Sequence, residues 1–216
     1  MCGIIISKMN YFDRARYFRT KKRLGQNFLV DGEVIQDIID FAQITPDDTV
    51  LEIGPGVGFV TEQLVKHAKK VIAIELDEEA IAELKKLEAP NLEIIHNDVL
   101  KTDLSNLTNE KFKVVANIPY YITSPIIAHL LGEIDDLANK NRSQIKDIIL
   151  MVQEEVARRM VATPDSPSKQ YGLLTILSQF WADVKILRVV GRKCLYPAPK
   201  VNSALVKLDV CQLFTS

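Results

Sequence analysis

The segment TVLEIGPGVGFV, residues 49–60, runs from apolar residues straight into three glycines, Gly54, Gly56 and Gly58, and out again into a helix-compatible stretch. A short apolar run closed by a glycine turn reads as a buried strand. Glycines at such a turn let the backbone bend sharply and approach a ligand closely. The dinucleotide-binding version of this strand–turn–helix unit wants a third glycine where Phe59 stands, so the spacing disfavours a nicotinamide-dependent oxidoreductase.

Around this unit the same alternation continues. KVIAIEL (70–76), NLEIIHNDVL (91–100), KFKVVANIP (111–119) and KDIILMVQ (146–153) carry further strands. DGEVIQDIIDFAQI (31–44), FVTEQLVKHA (59–68), DEEAIAELKKLEA (77–89), SPIIAHLLGEI (124–134) and EEVARRMVA (154–162) carry helices. Strands alternating with helices imply an α/β fold: a doubly wound, mostly parallel sheet with helices on both faces. After a polar loop, ATPDSPSKQYG (162–172), the pattern changes. ADVKILRVV (182–190) and NSALVKLDV (202–210) have no intervening helix and read as an antiparallel C-terminal strand pair closing one edge.

Composition excludes several classes. With 216 residues, 47% hydrophobic and 25% charged, the chain has the balance of an ordered globular domain. No apolar run is long enough to cross a bilayer, and MCGIII is too short for a secretory signal, so a cytoplasmic protein is expected. Cys2, Cys194 and Cys211 are odd in number and lack CxxC spacing, which supports neither a disulfide framework nor a metal site. The net charge is −1, yet Arg14, Arg16, Arg19, Lys21, Lys22 and Arg23 crowd one stretch. Lys185, Arg188, Arg192, Lys193, Lys200 and Lys207 populate the C-terminal part. A basic face for phosphates is one reading of that asymmetry; a solvated surface is the other.

Polar residues stand at successive strand ends. Glu75 closes its strand 21 positions after Gly54, the spacing at which a carboxylate reaches the hydroxyls of a ribose. Asp98 closes the next, and suits an adenine amino group. Strand C-termini of an open parallel sheet face one crevice, so the Gly54–Gly56 turn, Glu75, Asp98 and Asn117 should converge there. Two acids without a phosphate fingerprint favour a nucleoside cofactor that lacks phosphates. Asn117 opens NIPY, where Pro119 must stop the strand because it cannot donate to a ladder. The Asn117 side-chain carbonyl, backbone carbonyls beside Pro119 and the ring of Tyr120 together suit the exocyclic amine of a flat base.

KKRLGQNFL (21–29), LEIGPGVG, IEL with Glu75, NDVL with Asp98, NIPYYITSPI and PAPKVNSA (197–204) occur in this order. Over residues 20–210 the chain resembles the ribosomal RNA adenine N6-dimethyltransferase family, closest to its bacterial small-subunit branch. That resemblance implies a class I methyltransferase fold with S-adenosylmethionine as donor. The implied reaction is two methyl transfers to N6 of each of two adjacent adenines, in a hairpin loop near the 3′ end of small-subunit ribosomal RNA. It implies cofactor contacts at Asn27, Leu29, Gly54, Glu75, Asp98 and Asn117, with Asn117, Pro119 and Tyr120 gripping the target base. The 30S precursor particle is the implied partner, and a monomer the implied state.

Two departures from the family pattern stand out. Family members carry phenylalanine two places before the first proline of PAPKV, where it helps sandwich the base; here Leu195 stands there, with Tyr196 beside it and Lys200 following. Leucine cannot stack as a ring does, so base affinity is expected to fall unless Tyr196 substitutes. Family members also continue into a small helical C-terminal domain, which is expected to be absent from a sequence ending at Ser216. The expected organisation is a basic extension over 1–20, a catalytic domain over 21–210 and a tail over 211–216. Two alternatives accompany this reading: a large-subunit RNA methyltransferase of the resistance type, and a non-catalytic binding module that kept the fold.

Overall fold

The computed structural model describes residues 10–21, 24–167 and 170–211. Cys2, Lys22 and Arg23, the first nine residues, part of the 162–172 loop and the tail after 211 lie outside the described residues. In chain order the elements begin with helix α1 (Tyr11–Arg16), strand β1 (Phe28–Leu29), α2 (Gly32–Ala42), β2 (Thr49–Ile53), α3 (Thr61–His67) and β3 (Lys70–Glu75). There follow α4 (Glu78–Lys85), β4 (Leu92–His96), β5 (Phe112–Asn117), α5 (Thr123–Leu131), α6 (Lys140–Gln144) and β6 (Ile145–Gln153). The chain closes with α7 (Glu154–Met160), α8 (Leu173–Trp181), β7 (Ala182–Val190), β8 (Leu195–Tyr196) and β9 (Ser203–Val210).

Every residue of β2 is buried, and β3 and β5 are buried along nearly their whole length. Strands covered on both faces need apolar side chains on both, which explains their continuous rather than alternating hydrophobicity. Successive residues feed opposite cores. Leu51, Ile72, Val114 and Ile148 pack toward α5, α7 and α8. Val50, Val71, Val115 and Ile149 pack toward α2 and α3.

The seven-stranded sheet has the order β4-β3-β2-β5-β6-β9-β7. The first five strands are parallel, and β9 runs antiparallel between β6 and β7. The late strand pair thus closes one edge, as its helix-free connection implies. The chain winds outward from β2 through β3 to β4 and then returns to β5 on the other side of β2. The resulting switch point leaves a crevice at the carboxyl ends of β2 and β5.

Three departures from the sequence reading stand out, besides the short α6 that it does not assign. It assigns no helix between the 162–172 loop and β7, whereas the structure forms α8. That helix buries Leu174, Leu177, Ser178 and Trp181, a 3.6-residue stripe, but its opposite face carries the exposed Leu173, Ile176 and Phe180. Apolar residues all round hide the periodicity. Strands β1 and β8 form a separate antiparallel pair, Phe28 opposite Tyr196 and Leu29 opposite Leu195. Thirdly, α1 docks on the start of α3: Arg14 pairs with Glu62 and lies 4.8 Å from the Phe59 ring centroid, and Gln63 donates to the Tyr11 hydroxyl at 2.9 Å.

Among the described residues, no helix is long and apolar enough to cross a membrane. None of their His, Cys, Asp and Glu side chains cluster in threes as a metal site would need.

Candidate functional site

Strand β2 delivers the glycine turn to the crevice. Gly54, Gly56 and Gly58 all have left-handed backbones, with φ of 66°, 58° and 85°. A Cβ added at Gly54 would meet nothing within 4 Å, so this side of the turn is open. At Gly56 it would lie 2.7 Å from Cε1 of Phe28. Gly56→Ala therefore combines left-handed strain with overpacking and is expected to destabilise the fold by about 2–4 kcal/mol in urea unfolding. A loss of only about 1 kcal/mol would mean that Phe28 moves freely aside and the left-handed strain alone remains.

One pocket is walled by Gly54, Gly56, Glu75, Asp98 and Asn117 from the strand ends. Asn27 and Leu29 close it from the segment before α2, and Pro119 and Tyr120 from the NIPY segment. Leu195, Tyr196 and Lys200 do not line it. Leu195 is 1% exposed and packs in the core around Leu29, because its pairing in the β1–β8 ladder turns it inward. Tyr196 sits edge-on to Phe12, centroids 5.5 Å apart, and Lys200 is exposed beyond it. The motif position that Leu195 occupies thus lies in the core and not on the pocket wall, a consequence of local strand pairing that the spacing does not show.

Glu75 is held by backbone donors. Its Oε1 accepts from the N–H groups of Leu76 and Asp77, at 2.8 and 2.9 Å, and its Oε2 from Gly56 N–H at 2.9 Å. Burial pushes its carboxyl pKa up, against the three backbone donors, which favour the ionised form. Two acceptor positions per oxygen leave one free on Oε2. Asp98 caps the next turn through Oδ1, which accepts from Leu100 N–H at 3.0 Å.

Asn117 has a defined orientation. Its Nδ2 donates to the Asn27 carbonyl at 2.8 Å. A backbone carbonyl can only accept, so the amide cannot be reversed, and Oδ1 is left as the acceptor available to the pocket. The Pro119 carbonyl takes the Ile122 N–H at 3.1 Å, closing a 3₁₀ turn over Tyr120–Ile122. Of the carbonyls flanking that proline's ring, Ile118's is the one this turn leaves over. The Tyr120 hydroxyl is 2.7 Å from Ser203 Oγ, which fixes the ring at the pocket wall. Burial raises its phenol pKa.

Three residues escaped the sequence reading. Glu52 lines the pocket, and Gln26 and Asp77 tie the segment before β1 to the turn after β3. Nothing in the sequence distinguished Glu52, which sits mid-strand, from a surface-facing acid. It is 3% exposed, accepts from Thr61 Oγ1 at 2.7 Å, and its pKa rises from 4.5 to about 8. Burial is the main cause; Thr61 opposes it and the Glu75 charge adds to it. Below pH 4.5 folded and unfolded chains both hold this proton; up to about 8 only the folded chain does. Stability should therefore fall as pH rises through that window, by about 1.4 kcal/mol per unit. Glu52→Gln should flatten the slope in unfolding measured across the window, and an unchanged slope would mean that Glu52 is ionised.

The described residues lining the pocket include three carboxyl groups, Glu52, Glu75 and Asp98, and no Lys, Arg or His. Such a wall suits hydroxyl and amine donors and a cationic ligand, and is unsuited to pyrophosphate.

A family model described as ribosomal RNA adenine dimethylase matches residues 17–212. A ribosomal RNA small subunit methyltransferase A from Clostridium acetobutylicum is 48% identical over 198 residues, covering 89% of this chain and 67% of that protein. The chain thus spans about two thirds of the length of such relatives. Among solved structures, a dimethyladenosine transferase from Plasmodium falciparum superposes with a TM-score of 0.72 at 36% identity. That match covers 84% of this chain and 62% of the other. The 23S rRNA methyltransferase ErmE gives 0.71 at 32% identity, covering 86% and 70%.

Proposed function

The chain belongs to the ribosomal RNA adenine dimethylase family, and from that membership we propose that it methylates N6 of adenine in small-subunit ribosomal RNA with S-adenosylmethionine as donor. The observation that carries the reading is the fixed Asn117 amide, its oxygen free beside Ile118, Pro119 and Tyr120 in a pocket walled by carboxyls. The finer proposal is dimethylation of two adjacent adenines in a hairpin near the 3′ end of that RNA, on a 30S precursor, by a monomer.

S-adenosylmethionine fits this wall: it bears ribose hydroxyls, an adenine amine and a positive charge, with no phosphate. When bound it supplies a methyl group on a sulfonium. Glu75 takes a ribose hydroxyl on the remaining Oε2 position, Asp98 the adenine amine, and the Gly54 turn the methionine end. Asn27 and Leu29 close over it. Asn117 Oδ1 and the Ile118 carbonyl accept the two N6 hydrogens of the target adenine. That favours a more tetrahedral nitrogen and frees a lone pair otherwise delocalised into the ring. Tyr120 stacks on the base and offsets the cost of extruding it. The residues contribute mostly positioning and aligned dipoles.

The likeness to ErmE supports a second reading, with large-subunit RNA as substrate. Methyl incorporation into unmethylated 30S and 50S particles, mapped by mass, separates the two. Label on neighbouring small-subunit adenines is expected. Label on 50S alone would transfer the function to large-subunit RNA, and donor binding without transfer would make the chain a binding module.

A further inference from the structure

Residues 24–27, before β1, line the pocket and are tied through Gln26 to Asp77 in the turn after β3. Asp77, 2% exposed, is the N-cap of α4 and accepts from Glu79 N–H at 3.0 Å. Its Oδ1 also takes Lys21 Nζ at 2.6 Å, and its Oδ2 takes Gln26 Nε2 at 2.7 Å. The Gln26 amide is turned by its own second bond, since its Oε1 accepts the Lys21 N–H at 2.7 Å. The next residue, Asn27, presents the carbonyl that holds the Asn117 amide. Gly25 lies against NIPY and the tyrosine after it, where an added Cβ would be 3.6 Å from Pro119 Cβ and 3.1 Å from Tyr121 Cε1. On its backbone side, Asp77 N–H donates to Glu75 Oε1 at 2.9 Å. One buried residue thus joins the two: its backbone N–H holds Glu75, and its carboxylate holds the strap whose Asn27 carbonyl aims Asn117.

A helix N-cap needs a single acceptor for the backbone. Asp77 supplies that bond and two more, to side chains from about fifty residues earlier, which no capping role requires. Burial alone would raise its carboxyl pKa, but the bonds from Lys21 and Gln26 outweigh it and hold the group ionised. A charged acceptor makes both side-chain bonds stronger than neutral ones.

We propose that Asp77 is a positioning residue for methyl transfer, clasping residues 24–27 across the pocket so that the Asn27 carbonyl fixes the Asn117 amide. The proposal rests on the reading of Asn117 as the acceptor of the adenine amine. Asp77 touches neither donor nor base; it acts through Gln26, Asn27 and Asn117.

Gln26→Ala removes the strap contact and leaves the α4 cap intact, and Asp77→Ser keeps a capping oxygen while losing both side-chain bonds. In each, kcat is expected to fall about tenfold, because a misaimed group costs chiefly in the transition state. KM for S-adenosylmethionine and the affinity for S-adenosylhomocysteine should change by less than kcat does, since Glu75 keeps its backbone donors and only the strap side of the donor site loosens. The double variant should lose no more than Asp77→Ser alone, as coupled residues do. Independently of turnover, the Asn117 side-chain amide in ¹⁵N spectra, assigned by its absence in Asn117→Ala, should shift toward free asparagine and exchange faster with water. An unmoved Asn117 resonance in Gln26→Ala, or losses that multiply in the double variant, would overturn the clasp. Should the wild type transfer no methyl to RNA, the functional reading fails, and the resonance alone still decides whether Asp77 positions the amide.

Discussion

Asn117→Ala is expected to lower kcat for methyl transfer by about 10²–10³-fold, the usual cost of removing one preorganised polar group at a reacting centre. Its affinity for S-adenosylhomocysteine should remain within about threefold, because the bonds proposed for the donor come chiefly from Glu75, Asp98 and the glycine turn. The asymmetry follows from the amide's fixed direction: Nδ2 is engaged by Asn27, so Oδ1 alone is left for the proposed contact with the amine. Asn117→Asp sharpens the test. A carboxylate keeps acceptors but cannot donate to the Asn27 carbonyl, so it should lose the orientation and most of the rate. Single-turnover assays on RNA beside calorimetry with S-adenosylhomocysteine measure the two effects separately. Rates near wild type in Asn117→Ala would show that this amide does not grip the amine.

Glu75→Ala acts on the other half of the reaction. Three backbone N–H groups, of Gly56, Leu76 and Asp77, converge on that carboxylate. Its removal leaves them short of an acceptor and takes away the group proposed for the ribose. Donor affinity is expected to drop by about 10²-fold, and stability by about 1–3 kcal/mol, the range for buried polar groups left unpaired. At saturating donor kcat should fall far less, since the adenine side of the pocket is untouched. Unchanged affinity, with stability lowered, would make Glu75 a purely structural brace of the glycine turn. Binding and urea unfolding on the same preparation decide between the two.

The carboxyl-edge residues were legible because a parallel sheet obliges them to meet. Once β2, β3 and β5 are read as adjacent parallel strands, Gly54, Glu75 and Asn117 must end at one crevice. Glu52 was not legible, since alternation cannot show that a mid-strand acid lies under a turn and beside a second acid. Nor was Leu195: its motif position suggested a base contact, and a two-residue ladder with β1 buries it instead.

The sequence by itself determined the α/β alternation, the glycine turn, the antiparallel closing pair and the polar strand ends, all consequences of local periodicity and backbone chemistry. Only the tertiary structure decided that Asn27 aims Asn117, that Asp77 holds the strap, and that α8 is a helix. These depend on contacts between segments as much as 90 residues apart, or on which face of an apolar run finds a partner. Neither is written in the spacing of any one segment, because burial is a property of the assembled fold.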